Sequence, residues 1–303
     1  MPTTGGEPSV GRQWFVSAPR DRSSRAPGRR SGPQGKSEET AMQNTTATTR
    51  TALVTGSSRG IGRAVARRLA ADGMVVAVHY GRDAAAAQET VDLIARDGGR
   101  AFSVGADLAT HDGVLALVEG VRAGLAAHTG EAALDVLVNN AAATGSGGHL
   151  GDETPEQFDR VFAVNVRAPY FLVQGLLPVL RDGGRIINIG SAVTRIALAD
   201  ELAYAMTKGA METFTRTLAN VVGERRITVN TVAPGPTQTA SLTAAMAAVP
   251  ELEGMLIGGQ ALPWVGRPED IADPVAFLAS EDGRWITGTV IDASGGTYLG
   301  PKH

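Results

Sequence analysis

Thr51-Ala52-Leu53-Val54-Thr55 is a short apolar run, and it ends in Gly56-Ser57-Ser58-Arg59-Gly60-Ile61-Gly62. Directly beyond it Ile61, Ala64, Val65, Ala66 and Leu69 recur at helical spacing, with Gly73 as a stop. A strand that must become a helix through three glycines leaves few folds open. Gly56 permits the tight turn, Gly60 lets backbone approach a ligand closely, and Gly62 lets the helix pack near the strand. The helix N-terminus offers free N–H groups and the positive end of a dipole, which suits a pyrophosphate. The spacing is Gly-x3-Gly-x-Gly rather than Gly-x-Gly-x-x-Gly, so the triplet has weight mainly because of where it lies.

The same alternation continues down the chain. Apolar runs at 75–78, 101–104, 134–138, 186–189, 227–230 and 289–291 read as strands. Helical patterns at 83–97, 112–127, 165–181 and 203–222 lie between them. Strands that are apolar throughout, each followed by a helix, predict a parallel sheet covered on both faces. The expected fold class is therefore α/β, a three-layer doubly wound parallel sheet of the Rossmann type, forming a single domain over residues 49–303. Residues 240–264 are rich in alanine and methionine, and read either as an apolar lid or as a packing helix.

Residues 1–48 differ in kind. They are rich in Arg, Gly, Pro and Ser, with Trp14-Phe15-Val16 as the one apolar cluster, and read as a disordered extension. No apolar stretch follows Arg29-Arg30 to make a targeting signal, and Met42 is an alternative start. A net charge of -3 gives no basis for binding nucleic acid or an anionic membrane. The absence of cysteine excludes disulfides, thiolate metal sites and cysteine nucleophiles. The five histidines show no metal-ligand spacing, so no metal is expected. No apolar run approaches the roughly 20 residues of a membrane span, and a cytoplasmic location is expected.

Tyr204-Ala205-Met206-Thr207-Lys208 carries the chemistry. Residues four apart share one helix face, so the phenol and the ammonium stand side by side. An adjacent cation is expected to favour the phenolate and lower the tyrosine pKa from about 10. A hydroxyl from Ser191 would hold a carbonyl oxygen against that phenol. At the tip of the second strand, Val78-His79-Tyr80-Gly81-Arg82 has no acid to bind a ribose 2′-hydroxyl. Arg59 and Arg82 would face a 2′-phosphate, or else are solvated surface residues.

Taken in order, Thr55-Gly-Ser-Ser-Arg-Gly-Ile-Gly62, Asn139-Asn140-Ala141-Ala142, Asn165, Ser191, Tyr204-x-x-x-Lys208 and Pro234-Gly235 resemble the short-chain dehydrogenase/reductase family over residues 51–300. Within it the chain looks most like the 3-oxoacyl-carrier-protein reductases and naphthol reductases. The resemblance implies a catalytic set of Asn165, Ser191, Tyr204 and Lys208. Tyr204 would be the acid for reduction, Lys208 would also bind ribose hydroxyls, and Asn165 would support a proton-relay water.

For the cofactor, the resemblance implies contacts from Gly56, Ser58, Arg59, Gly60, Ile61, Gly62, Tyr80, Arg82, Asp107, Leu108, Asn139, Ala141, Tyr204, Lys208, Pro234, Gly235, Thr237 and Thr239, with NADP(H) preferred over NAD(H). Asp107 would meet the adenine amino group or instead cap a helix. Ala142 stands where the family usually has glycine, which matters if φ is positive there. The implied reaction is reduction of a ketone to a secondary alcohol, or its reverse, on a 3-oxoacyl thioester, polyketide or quinone-like small molecule. Sugar or steroid-type alcohols are the alternative substrates, and a non-catalytic NADP-sensing protein is the alternative from another class. Apolar residues on several sides of 165–181 and 203–222 suggest burial against another subunit, and family members commonly form dimers or tetramers.

Overall fold

The computed structural model of the protein describes residues 49–145 and 150–300; the 1–48 extension and most of the glycine-rich loop 145–151 lie outside the described residues. The elements run β1 (Thr51–Val54), α1 (Gly60–Ala71), β2 (Val75–Tyr80), α2 (Ala84–Arg96), β3 (Arg100–Gly105), α3 (His111–Thr129) and β4 (Leu134–Asn139). They continue with α4 (Pro155–Phe162), α5 (Ala168–Leu176), β5 (Leu180–Ile189), α6 (Leu202–Val222), β6 (Thr228–Pro234), α7 (Ala240–Ala248), α8 (Leu252–Gly258), α9 (Pro268–Ala279) and β7 (Val290–Ala293).

All seven strands are parallel, in the order β3-β2-β1-β4-β5-β6-β7. The order reverses between β1 and β4, so a crevice opens at the carboxyl ends of those two strands. The core has two halves, one on each face of the sheet. Val65, Ala66 and Leu69 of α1 pack with Ile271, Val275 and Leu278 of α9 on one face. Leu117, Val121 and Leu125 of α3 pack with Leu172 and Leu176 of α5 and Leu218 and Val222 of α6 on the other. Each fully buried leucine of this kind contributes about 1.5–3 kcal/mol relative to exposure.

Every expected strand is present, and the three-layer doubly wound architecture is as the sequence predicts. The 165–181 helix is not. Helical structure begins at Pro155, where Thr154 and Gln157 form a capping box, and it ends at Leu176 because Pro178 cannot continue it. Between α4 and α5 the chain takes a π-helical turn over Ala163–Arg167, with Asn165 at its centre. Such single wide turns concentrate at functional sites. The sequence reading also assigns no helix to α9, although Ile271, Ala272, Val275, Ala276, Leu278 and Ala279 form its buried face. α7 and α8 bury no residue completely, which disfavours the packing-helix reading of 240–264. Among the described residues no single helix is long and apolar enough to cross a membrane; α7 and α8 together reach that composition but meet at a bend of 114°.

Candidate active site

The glycine turn is tied to the end of β4 by Thr55. Its hydroxyl oxygen accepts the N–H groups of Asn140 at 2.9 Å and Ala141 at 3.0 Å. The Asn140 amide donates back to Thr55 O at 2.8 Å and Gly56 O at 3.1 Å. Gly56 and Gly60 hold φ of 62° and 57°, a region costly for other residues. A Cβ on Gly62 would strike Gly56 O, and would lie 2.5 Å from the Asn140 amide nitrogen. The helix therefore begins as near the strand as backbone allows. Ala142 does not have a positive φ, so the departure from glycine carries no strain.

A cleft of about 800 Å³ opens over this turn. Gly56, Ser58, Arg59, Gly60, Ile61 and Gly62 line it from the glycine turn and the start of α1, and Arg82, Asp107 and Leu108 from just beyond β2 and β3. Ala141, Tyr204 and Thr239 line it from the other side. Arg59 and Arg82 are exposed along its wall and form no ion pair within 4 Å among the described residues. Asp107 does not cap α3, whose cap is Thr110; its carboxylate accepts the Ala109 N–H at 3.0 Å.

Several expected cofactor residues do not reach the cleft with their side chains. Tyr80 lays its ring against Gly105. Asn139 donates to Asn188 Oδ1 at 2.9 Å inside the sheet. Pro234 closes β6, Gly235 sits where a Cβ would come 2.6 Å from Ser294 O, and the Thr237 hydroxyl donates to Gly235 O at 3.0 Å. These residues shape the loop that ends at Thr239, which lines the cleft and caps α7. His79, Thr144, Arg160 and Ser241, which no sequence motif marks, also line it.

The four expected catalytic residues come together around Tyr204, which alone of them lines the cleft; Lys208, also expected to touch the cofactor, is buried and does not line it. Ser191 stands within hydrogen-bonding reach of the Tyr204 phenol, and its oxygen accepts the Val193 N–H at 3.2 Å. Ser191 thus caps the short turn that presents it. Lys208 is buried, its ammonium donates to Ile189 O at 2.8 Å and lies 5.3 Å from the centre of the Tyr204 ring. Asn165 is also buried. Its Oδ1 accepts the Ala143 N–H at 2.7 Å, and its amide donates to Ala143 O at 2.8 Å and to the Thr207 hydroxyl at 3.0 Å. That hydroxyl donates to Tyr204 O at 2.7 Å, so Asn165 links the loop after β4 to the first turn of α6.

The ionisation of the pair differs from the sequence expectation. Burial pushes the Tyr204 phenol up to about 12, opposed by the bond from Ser191 and reinforced by nearby Glu201. Burial likewise pushes Lys208 down to about 8. The sequence expectation is a neighbouring cation that lowers the phenol; in this enclosed site desolvation of the phenolate dominates instead. The phenol is therefore neutral at pH 7, the state a proton donor needs.

Tyr204 also lines a second pocket of about 200 Å³, walled by Leu150, Phe158, Leu202 and Met206 together with Glu153, Asp200 and Glu201. A single phenol thus faces both a cleft floored by glycines and a mostly apolar pocket. Arg195, four residues after Ser191, is paired with Asp292 at 2.8 Å.

Residues 56–298 match the family model described as "Enoyl-(Acyl carrier protein) reductase". The chain belongs to the short-chain dehydrogenase/reductase family. As such it is an oxidoreductase. Elsinochrome reductase 1 of Elsinoe fawcettii is 40% identical over 258 residues, covering 82% of this chain and 94% of the relative. The angucycline C-6 ketoreductase LanV with bound NADP is 51% identical, with a TM-score of 0.79, covering 84% of this chain and 97% of that one. The landomycin C-6 ketoreductase LanV with bound NADP and rabelomycin is 50% identical at a TM-score of 0.77, covering 83% and 97%.

Proposed function

We propose that the protein is an NADP(H)-dependent ketoreductase acting on an aromatic, polyketide-type ketone. The observation that carries this reading is Tyr204, one side chain that lines both the glycine-floored cleft and the pocket of Leu150, Phe158, Leu202 and Met206. Support comes from a relative named elsinochrome reductase and from an angucycline C-6 ketoreductase solved with bound NADP.

The residues of the cleft suit the cofactor. The positive-φ glycines and the free N–H groups of α1 would receive a pyrophosphate, and Arg59 and Arg82 a 2′-phosphate. When bound, NADPH supplies the hydride. The chain supplies position and a proton. Negative charge develops on the carbonyl oxygen, and a donor already in place stabilises it. In this reading Ser191 orients that oxygen, the Tyr204 phenol gives its proton, and Lys208 favours the resulting phenolate more than the neutral phenol. Asn165 fixes the loop after β4 against α6 and supports the water through which the proton is replaced. In the oxidative direction Tyr204 accepts the proton instead.

The carboxylates of Glu153, Asp200 and Glu201 would repel an anionic substrate and accept hydrogen bonds from phenolic hydroxyls. A neutral hydroxylated ring therefore suits the pocket better than a 3-oxoacyl thioester with an anionic carrier. We further propose a cytoplasmic homodimer or homotetramer, with Tyr170, 53% exposed in a cluster with Phe171 and Phe214, covered by another subunit. NADPH oxidation measured against polycyclic aromatic ketones and 3-oxoacyl thioesters tests the substrate reading. Turnover of the ketones in preference is expected; preference for the thioesters would overturn it.

A further inference from the structure

His79 lies at the end of β2, is 2% exposed, and is used by none of the roles above. Its ring bridges the two loops that flank β2. Nδ1 accepts the Gly56 N–H at 2.9 Å, and Nε2 lies 3.1 Å from Ala106 O. A carbonyl only accepts, so Nε2 carries the hydrogen and Nδ1 has none. The backbone of the same residue completes the clamp. His79 N–H donates to Ser57 Oγ at 3.1 Å, and Ser57 N–H donates to His79 O at 2.9 Å. Gly56 begins the glycine turn, which the cofactor reading sets under the pyrophosphate, and Ala106 precedes Asp107 and Leu108, which that reading sets beside the adenine; all four line the cleft.

We infer that His79, in its neutral Nε2–H form, is a positioning residue that fixes the spacing between the glycine turn and the loop after β3, and that its protonation weakens cofactor binding. This rests on the cofactor reading above. When both ring nitrogens carry hydrogen, Nδ1–H opposes the Gly56 N–H, donor against donor, and the turn must move away. Burial holds the imidazole below the usual histidine range, so the clamp is intact at neutral pH and fails only on the acid side. The charged groups on the surrounding elements are Arg59 and Arg63 beside the turn, Arg82 and Asp83 beyond β2, and Asp107 beyond β3. None makes a polar contact with the ring, whose partners are Gly56 and Ala106 backbone. Arg63 is engaged with Ser58 O and Glu89, and Asp107 with Ala109 N–H.

The test is NADPH affinity, by quenching or calorimetry, from pH 8 down to about pH 5 for wild type, His79→Asn and His79→Leu. Asparagine places a non-titrating acceptor near Nδ1, whereas leucine has none. At pH 8, His79→Leu is expected to bind about tenfold more weakly, as for an N–H left without its partner. His79→Asn should stay within about threefold of wild type on the same reasoning. The affinity ratio of wild type to His79→Asn should then fall as the pH drops. Both proteins share the titration of the 2′-phosphate, so the ratio reads His79. Nitrogen NMR of wild-type His79 should show the Nε2–H tautomer at pH 8. A pH-independent ratio, or the opposite tautomer, would overturn the proposal. If His79→Leu does not fold by circular dichroism, the ratio and the tautomer decide alone. Failure of wild type to bind NADPH at pH 8 would overturn the cofactor reading and the proposal with it, whereas wild-type binding with a flat ratio overturns the proposal alone.

Discussion

Replacing Lys208 by methionine should change how stability depends on pH, in a direction that isolates the buried ammonium. Lys208 is 4% exposed, and its one acceptor among the described residues is Ile189 O at 2.8 Å. Burial lowers its pKa from 10.5 to about 8. The folded state therefore holds the proton less tightly than the unfolded chain. Stability from this residue is fully present above the unfolded value and is lost as pH falls towards the folded one. At 1.36 kcal/mol per pH unit, the full displacement is worth roughly 3 kcal/mol, of which about 2–3 kcal/mol falls between pH 7 and pH 10. Lysine is otherwise found only at positions 36 and 302, so no second lysine of the fold between them titrates in this window. The assay is urea unfolding of wild type and Lys208→Met, without cofactor, at pH 7 and pH 10. Wild type should gain about 2–3 kcal/mol relative to the variant over that interval. At pH 7 the variant should come within about 1 kcal/mol of wild type, because relief of the desolvation offsets the lost partner of Ile189 O. A difference in stability that stays constant across the interval would refute the reasoning.

Gly62→Ala should destabilise by about 3 kcal/mol, the upper end of overpacking costs, because the added methyl meets backbone at Gly56 as well as the Asn140 amide; thermal denaturation reads it. Thr55→Val keeps the shape of the side chain but leaves the N–H groups of Asn140 and Ala141 without their acceptor, and should cost about 2 kcal/mol in urea unfolding. Arg82→Ala should raise KM for NADPH about tenfold and leave that for NADH unchanged, as expected on loss of a charge-assisted contact. Equal effects on both cofactors would show that Arg82 does not read the 2′-phosphate.

Much of this is legible in the sequence, because the residues concerned act through local geometry. The glycine triplet sits at a strand-to-helix junction, and Tyr204 and Lys208 are one helical turn apart, so short-range spacing announces both. α4 and α9 were less visible. The strongest helical period, at 165–181, lies downstream of the Thr154-Pro155 start, and the π-helical turn at Ala163–Arg167 has no simple sequence period. The electrostatics were not legible at all. Sequence spacing brings a cation to a phenol, but enclosure decides the outcome, and here it raises Tyr204 to about 12. His79 was hidden for a similar reason, since its role depends on two loops far apart in the chain.

The central claim is that Tyr204 donates the proton to the reduced carbonyl. Single-turnover oxidation of bound NADPH by an aromatic ketone, in wild type and Tyr204→Phe, tests it most directly. The phenylalanine ring keeps the packing against Lys208 and loses only the hydroxyl bonded to Ser191. The account predicts a rate lower by about 10²–10⁴-fold, the usual contribution of a positioned general acid, with NADPH affinity unchanged. A variant that turns over within tenfold of wild type while binding NADPH normally would contradict it.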